Sequence, residues 1–196
     1  PTLTSPVICE GATATVTMST PTGTNTYTYN WQVPTGVATS TSNSVTTTKA
    51  GTYSLSIMDA NTCTSEVGIG TVSVNPLPTL TITNPTAICA PGTVDLTATS
   101  ITAGSTASLT YTYFTNAAAT TSLANANTIS TTGAYYIKGT TALNCSAIKA
   151  VTATVNPIPT FTISSPSVCL GSPLTITANP LTGASTDYNY TWQVPS

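Results

Sequence analysis

Apolar and polar residues alternate along most of this chain with a period of two. Ala12, Ala14, Val16 and Met18 are separated by threonines, and the same comb returns as Val94, Leu96, Ala98 and as Leu174, Ile176, Ala178. Residues two apart share one face of a strand, so each comb predicts a strand with one buried side. The next strand in each series is aromatic: Tyr27, Tyr29, Trp31 and Val33, then Tyr188, Tyr190, Trp192 and Val194. Between them, Tyr111 and Tyr113 keep the pattern, but Thr115 stands where tryptophan is expected and Phe114 lies on the opposite parity. Large aromatic faces are best used in a core, so Trp31 and Trp192 are predicted core residues. No stretch of useful length carries a helical period.

A third signature follows, Gly51-Thr-Tyr53-Ser-Leu55-Ser-Ile57, matched by Gly133-Ala-Tyr135-Tyr-Ile137. Tyr53 and Tyr135 are expected in the core. A Gly-x-Tyr entering a strand resembles the tyrosine corner of immunoglobulin-like sandwiches, although the cysteine two residues later is missing. The last strand ends at Val72 and Val74, or at Val151, Ala153 and Val155, and runs into Val-Asn-Pro-x-Pro. Two prolines two apart cannot donate to a ladder and favour a stiff extended connector.

These landmarks recur at one period. Cys9, Cys89 and Cys169 are spaced by 80 residues, and Cys63 and Cys145 by 82. The chain therefore divides into a first repeat over 1–74, a complete one over 75–155, and the N-terminal half of a third over 156–196. Units joined this closely predict an extended rod. Pro1 begins inside a repeat, so no signal peptide is expected within these residues, and the chain is read as a segment of a longer one.

A unit of about 80 residues buries a modest core and commonly needs a covalent staple. Cys9 and Cys63 are 54 apart and Cys89 and Cys145 are 56 apart. That spacing predicts one disulfide per repeat, Cys9 with Cys63 and Cys89 with Cys145, each contributing about 4 kcal/mol in the loop-entropy model. Cys169 is left unpaired, with a partner expected roughly 55 residues further on by the same reasoning. Zinc is disfavoured because there is no Cys-x-x-Cys, no histidine and no clustering of thiols. Disulfides imply an extracellular setting.

Charge narrows the function. Only 4% of residues are charged, three Lys+Arg against five Asp+Glu. Nothing neutralises a phosphate backbone, so no nucleic-acid partner is expected. Mean hydropathy is +0.20, yet no run approaches the roughly 20 apolar residues of a spanning helix.

Candidate chemistry is sparse, and no cofactor is expected. The acids are Glu10, Asp59, Glu66, Asp95 and Asp187. Glu10 and Glu66 flank the predicted Cys9–Cys63 bond, which would bring two carboxylates together as a glycosidase requires. Against this, Glu10 maps onto Ala90 and Leu170, and Glu66 onto Ile148. Asp59 with Asn61 is the one acidic turn suited to calcium, and the second repeat has no acid there. Lys49 could cross-link to an asparagine, but it maps onto Thr131. Outward parity leaves Tyr136 and Phe114 as aromatics able to stack on a sugar ring. Asn144-Cys-Ser146 and Asn189-Tyr-Thr191 fit the N-glycosylation pattern.

Taken together, Pro85, Cys89, Gly92, Leu96 and Ala98, the run Tyr27 to Trp31, Asn61-Thr-Cys63-Thr64 and the Val-Asn-Pro-x-Pro tracts resemble a known family. It is the immunoglobulin-like and PKD-like repeats of giant cell-surface adhesins of gliding Bacteroidetes. The resemblance covers essentially the whole chain, with Thr115 its clearest departure. It implies tandem all-β immunoglobulin-like sandwiches forming a non-enzymatic stalk at the cell surface, exported by type IX secretion. Implied partners are neighbouring repeats, surface polysaccharide, and outer-membrane secretion or motility machinery reached through other segments. Rival readings are an array of carbohydrate-binding modules and a subunit of an extracellular filament in which a neighbour completes the half repeat.

Overall fold

The computed structural model describes residues 1–19, 26–181 and 188–193. Val194 of the third aromatic stripe and Asp187 lie outside them. Described strands are β1 Val7–Cys9, β2 Ala14–Thr17, β3 Thr28–Gln32, β4 Ser44–Thr47, β5 Gly51–Met58, β6 Gly68–Asn75, β7 Ile88–Cys89, β8 Thr110–Phe114, β9 Gly133–Thr140, β10 Ser146–Ala153, β11 Val155–Asn156, β12 Phe161–Ile163 and β13 Ala178–Pro180. No helix is present among the described residues. The chain falls into two compact units, one of residues 1–83, 99–124 and 135–151, the other of 84–98, 125–134 and 152–196.

In the first unit, residues 1–75 form two layers. One is a sheet in the order β1-β6-β5-β3, the other the pair β2-β4. The comb becomes β2, with Ala14, Val16 and Met18 buried, while Ala12 stays outside. β4 arises in a Ser/Thr/Asn-rich stretch with little pattern; it exists because β2 offers it a ladder, Val16 opposite Val45. β3 pairs with β5 so that Trp31 faces Leu55. Trp31, Tyr53, Leu55, Ile57 and Val72 pack with the β2 comb into one core. The two polar tips in this core are satisfied: Trp31 Nε1 donates to the Ser42 carbonyl at 2.9 Å, and the Tyr53 hydroxyl lies 2.8 Å from Thr47 Oγ1 and 2.9 Å from the Lys49 carbonyl. A tyrosine bonded to backbone four residues upstream is the tyrosine-corner arrangement.

β1 is the element the alternation did not reveal. It runs parallel to the last strand of its repeat, Val7 beside Ser73, Ile8 beside Val74 and Cys9 beside Asn75. Residues 1–5 then lie across the start of β6 closely enough that glycine is required: a Cβ on Gly70 would sit 2.5 Å from the Thr4 carbonyl oxygen.

The same unit contains the sheet β10-β9-β8. On its inner face Ile137 is buried, and Gly139 makes room for Leu80, Leu109 and Tyr111. Tyr135 is half-buried.

In the second unit, β7 runs parallel to β11, placing Ile88 beside Val155 and Cys89 beside Asn156. This repeats the β1–β6 register. Val94 and Leu96 are buried as the comb requires, but the strand shrinks to a single bridge between Val94 and Ile129. β12 pairs with β13, and this two-stranded sheet has no second layer among the described residues. Phe161, Ile163, Leu174 and Ile176 each expose about half their surface, between 47% and 56%. Trp192, expected in the core, is 51% exposed for the same reason: a stripe is buried only when a facing layer covers it.

Tyr53→Phe is expected to lose one buried hydrogen bond, about 1 kcal/mol, lowering the melting temperature by roughly 4–8 °C with little change in far-ultraviolet dichroism. Gly70→Ala is expected to cost about 1–3 kcal/mol in a urea titration, because the added methyl displaces the segment around Thr4.

Candidate functional site

Polar positions with chemical potential are few, and the strands separate most of them. Glu10 follows Cys9, its N–H donating to the Asn75 carbonyl at 2.8 Å, beside the far end of β6. Glu66 precedes β6. An eight-residue strand, about 26 Å at the usual rise, lies between the two positions, so no carboxylate pair forms. Asp59 is committed locally: Oδ1 accepts from the N–H groups of Asn61 and Cys63, both at 2.9 Å. Thr141 does the same work in the second repeat, its hydroxyl accepting from Cys145 N–H at 3.1 Å. The acid at 59 is thus a turn cap that a hydroxyl can replace. Hydrogen bonds from the Thr97 hydroxyl and then its N–H hold the Asp95 carboxyl below the usual carboxylate range, again within a local turn. The Lys49 ammonium donates to the Thr35 carbonyl at 3.0 Å. Among the described residues no three His, Cys, Asp or Glu side chains converge as metal ligands would.

The cysteines depart most from expectation. Cys9 is bonded to Cys145, with Cα atoms 5.5 Å apart, while Cys63, Cys89 and Cys169 are free and exposed. The predicted Cys9–Cys63 and Cys89–Cys145 bonds are absent, and the registers explain why. Cys9 is held beside the end of β6, whereas Cys63 lies before its start. That length of strand far exceeds the ~7 Å Cα separation a disulfide tolerates. Cys89 is likewise held beside Asn156, and the whole of β10 separates that residue from Cys145 along the chain. Sequence spacing carried no information about which end of a strand each thiol occupies. The one available clue was that Cys9 and Cys89 each precede a turn, Cys-x-x-Gly or Cys-x-Gly, directly after a short apolar pair.

Phe114 and Tyr136 are brought together. They are opposite one another across β8 and β9, on the face away from Ile137 and Gly139, and both are half-buried. Thr112 and Lys138 form the next pair on that face. Directly opposed residues have Cβ atoms ~5 Å apart, so the two aromatic side chains are neighbours on that face. Tyr188 and Tyr190 meet edge to face at 6.5 Å.

Two layers of strands, a buried tyrosine corner and repeated strand registers define a chain of tandem immunoglobulin-like β-sandwiches. Residues 77–157 match the family described as "Ig-like domain CHU_C associated". No curated protein matches the sequence. Solved structures with similarity include extracellular domains 3–5 of Drosophila OTK, at 13% identity over 80% of this chain and 60% of that one, with a TM-score of 0.42. Another is a mutated variant of titin domains I67–I69, at 13% identity over 82% and 65%, with a TM-score of 0.40. The chain spans less than two thirds of either.

In the 196-residue chain, Cys9→Ser or Cys145→Ser is expected to lower unfolding free energy by about 4–5 kcal/mol, as loop closure over more than a hundred residues predicts, while Cys63→Ser changes it by less than about 0.5 kcal/mol. Denaturant midpoints without reductant distinguish the three variants.

Proposed function

We propose that this chain is a non-enzymatic stalk segment of a large secreted cell-surface adhesin, built of repeats 1–74, 75–155 and 156–196. The observation that carries the reading is the recurrence of one sandwich motif, with the same parallel strand register at Cys9 and at Cys89, joined by Asn-Pro-x-Pro tracts. Such an array projects and holds rather than reacts: ladders and a covalent loop resist extension, and stiff connectors favour a rod. A surface of threonine, serine and asparagine with 4% charge keeps these properties nearly independent of salt. A disulfide favours an extracellular location, and the family resemblance extends this to a Bacteroidetes cell surface, type IX secretion and gliding motility.

The Phe114–Tyr136 pair supports a second reading, in which repeats bind polysaccharide by stacking sugar rings on paired aromatics. It is an alternative to a purely mechanical role.

Deleting the parent gene is expected to abolish attachment to glass, or movement along it, with antibody against residues 75–155 labelling surface fibres of the wild type. Normal attachment with the label in the medium overturns the stalk. For the second reading, a glycan array probed with the 196-residue chain should give binding that Tyr136→Ala reduces at least tenfold; equal binding by the variant removes the pair from consideration.

A further inference from the structure

The Cys9–Cys145 bond joins the first cysteine of one repeat to the second cysteine of the next, and the free cysteines stand in the same local turns. Three observations make them equivalent. Cys9 and Cys89 end short strands in the same parallel register, beside Asn75 and Asn156 of the final strands of their repeats. Each first cysteine then opens the same turn, its carbonyl accepting the N–H of the third residue on: Ala12 at 2.9 Å, Gly92 at 3.0 Å and Ser172 at 3.1 Å. Cys63 and Cys145 also share a turn. Asp59 N–H donates to the Cys63 carbonyl at 3.1 Å and Thr141 N–H to the Cys145 carbonyl at 2.9 Å. In both turns the preceding residue has positive φ, 66° at Thr62 and 62° at Asn144.

We propose that the parent protein carries a ladder of disulfides between successive repeats. The first cysteine of each repeat bonds the second cysteine of the repeat that follows. Cys63 is then the acceptor for the first cysteine of a preceding repeat, and Cys89 and Cys169 bond second cysteines of following repeats. The strand direction accounts for this pattern. A first cysteine sits where its repeat's last strand leaves for the Pro-rich connector; a second cysteine sits in the turn before that last strand begins, a strand length away. Within one repeat the two cannot meet, but across a connector they can. Each bond forms by thiol–disulfide exchange: the two cysteine thiols lose two protons and two electrons to become one disulfide, and a disulfide-bearing thiol oxidant of the export compartment takes them up to become two thiols. Consecutive bonds overlap, because Cys89 lies within the loop that Cys9 and Cys145 close. A pull along the chain is carried across sulfur bridges instead of peeling one sandwich at a time. The ladder stands independently of whether the parent acts as a stalk or as a binding array.

The test is disulfide mapping of the parent protein isolated from cells under alkylating, non-reducing conditions, then digested for mass spectrometry. Linked peptides containing Cys9 with Cys145, and Cys89 with the second cysteine of the next repeat, are the expected result, with separations near the observed 136 residues. Linked Cys9–Cys63 or Cys89–Cys145 peptides, or Cys63 and Cys89 recovered as alkylated thiols, overturn the ladder. A Cys63→Ser parent provides an independent reading: one additional alkylated thiol is expected at the first cysteine of the preceding repeat, and its appearance at Cys9 instead defeats the proposal.

Discussion

Val7, Ile8 and Cys9 run parallel to Ser73, Val74 and Asn75, and that register sets much of the rest of the repeat. A parallel first strand must enter from the same end of the sandwich as the last strand, so the chain crosses the full length of the repeat before turning into β2. The crossing passes directly over Gly68 and Gly70, where backbone of residues 1–4 approaches too closely for any side chain. It leaves Cys9 at the end from which the connector departs. The second repeat reproduces the arrangement with Ile88 and Cys89 against Val155 and Asn156.

Around that frame, the core is an ordinary sandwich core with two polar tips, those of Trp31 and Tyr53. Tyr53 is fully buried, and its hydroxyl is tied to Thr47 and to the Lys49 carbonyl, which joins the start of β5 to the end of β4. Burying a phenol without partners costs more than the bond returns, so this geometry also specifies the corner. The low charge of the chain is compatible with such a fold because hydroxyl and amide side chains serve as turn caps. Asp59 and Thr141 cap equivalent turns with different chemistry, a carboxylate oxygen in one and a hydroxyl in the other. Asp59 and Asp95 therefore read as local structure.

The features singled out for a candidate site lie on sheet faces and strand ends. Two half-buried aromatics, Phe114 and Tyr136, share the outer face of β8 and β9, and free thiols stand at positions equivalent to bonded ones.

Alternation with a period of two determined the strands that face a core: the buried sides of β2 and β5, Trp31, and the outward parity of Phe114 and Tyr136 were all legible, because side-chain direction along a strand depends only on position in the chain. The internal period made the repeat legible for the same local reason. Tertiary structure alone decided three things. β4 has little pattern of its own and is made a strand by its partner. The Val94 comb keeps its buried face while losing all but one ladder bridge, and Trp192 stays exposed without a covering layer. Cysteine pairing was the largest of the three. Loop length is a one-dimensional quantity, whereas a disulfide requires two sulfurs at the same place, and only the parallel register of β1 with β6 says that Cys9 and Cys63 lie at opposite ends of the sandwich while Cys9 and Cys145 meet.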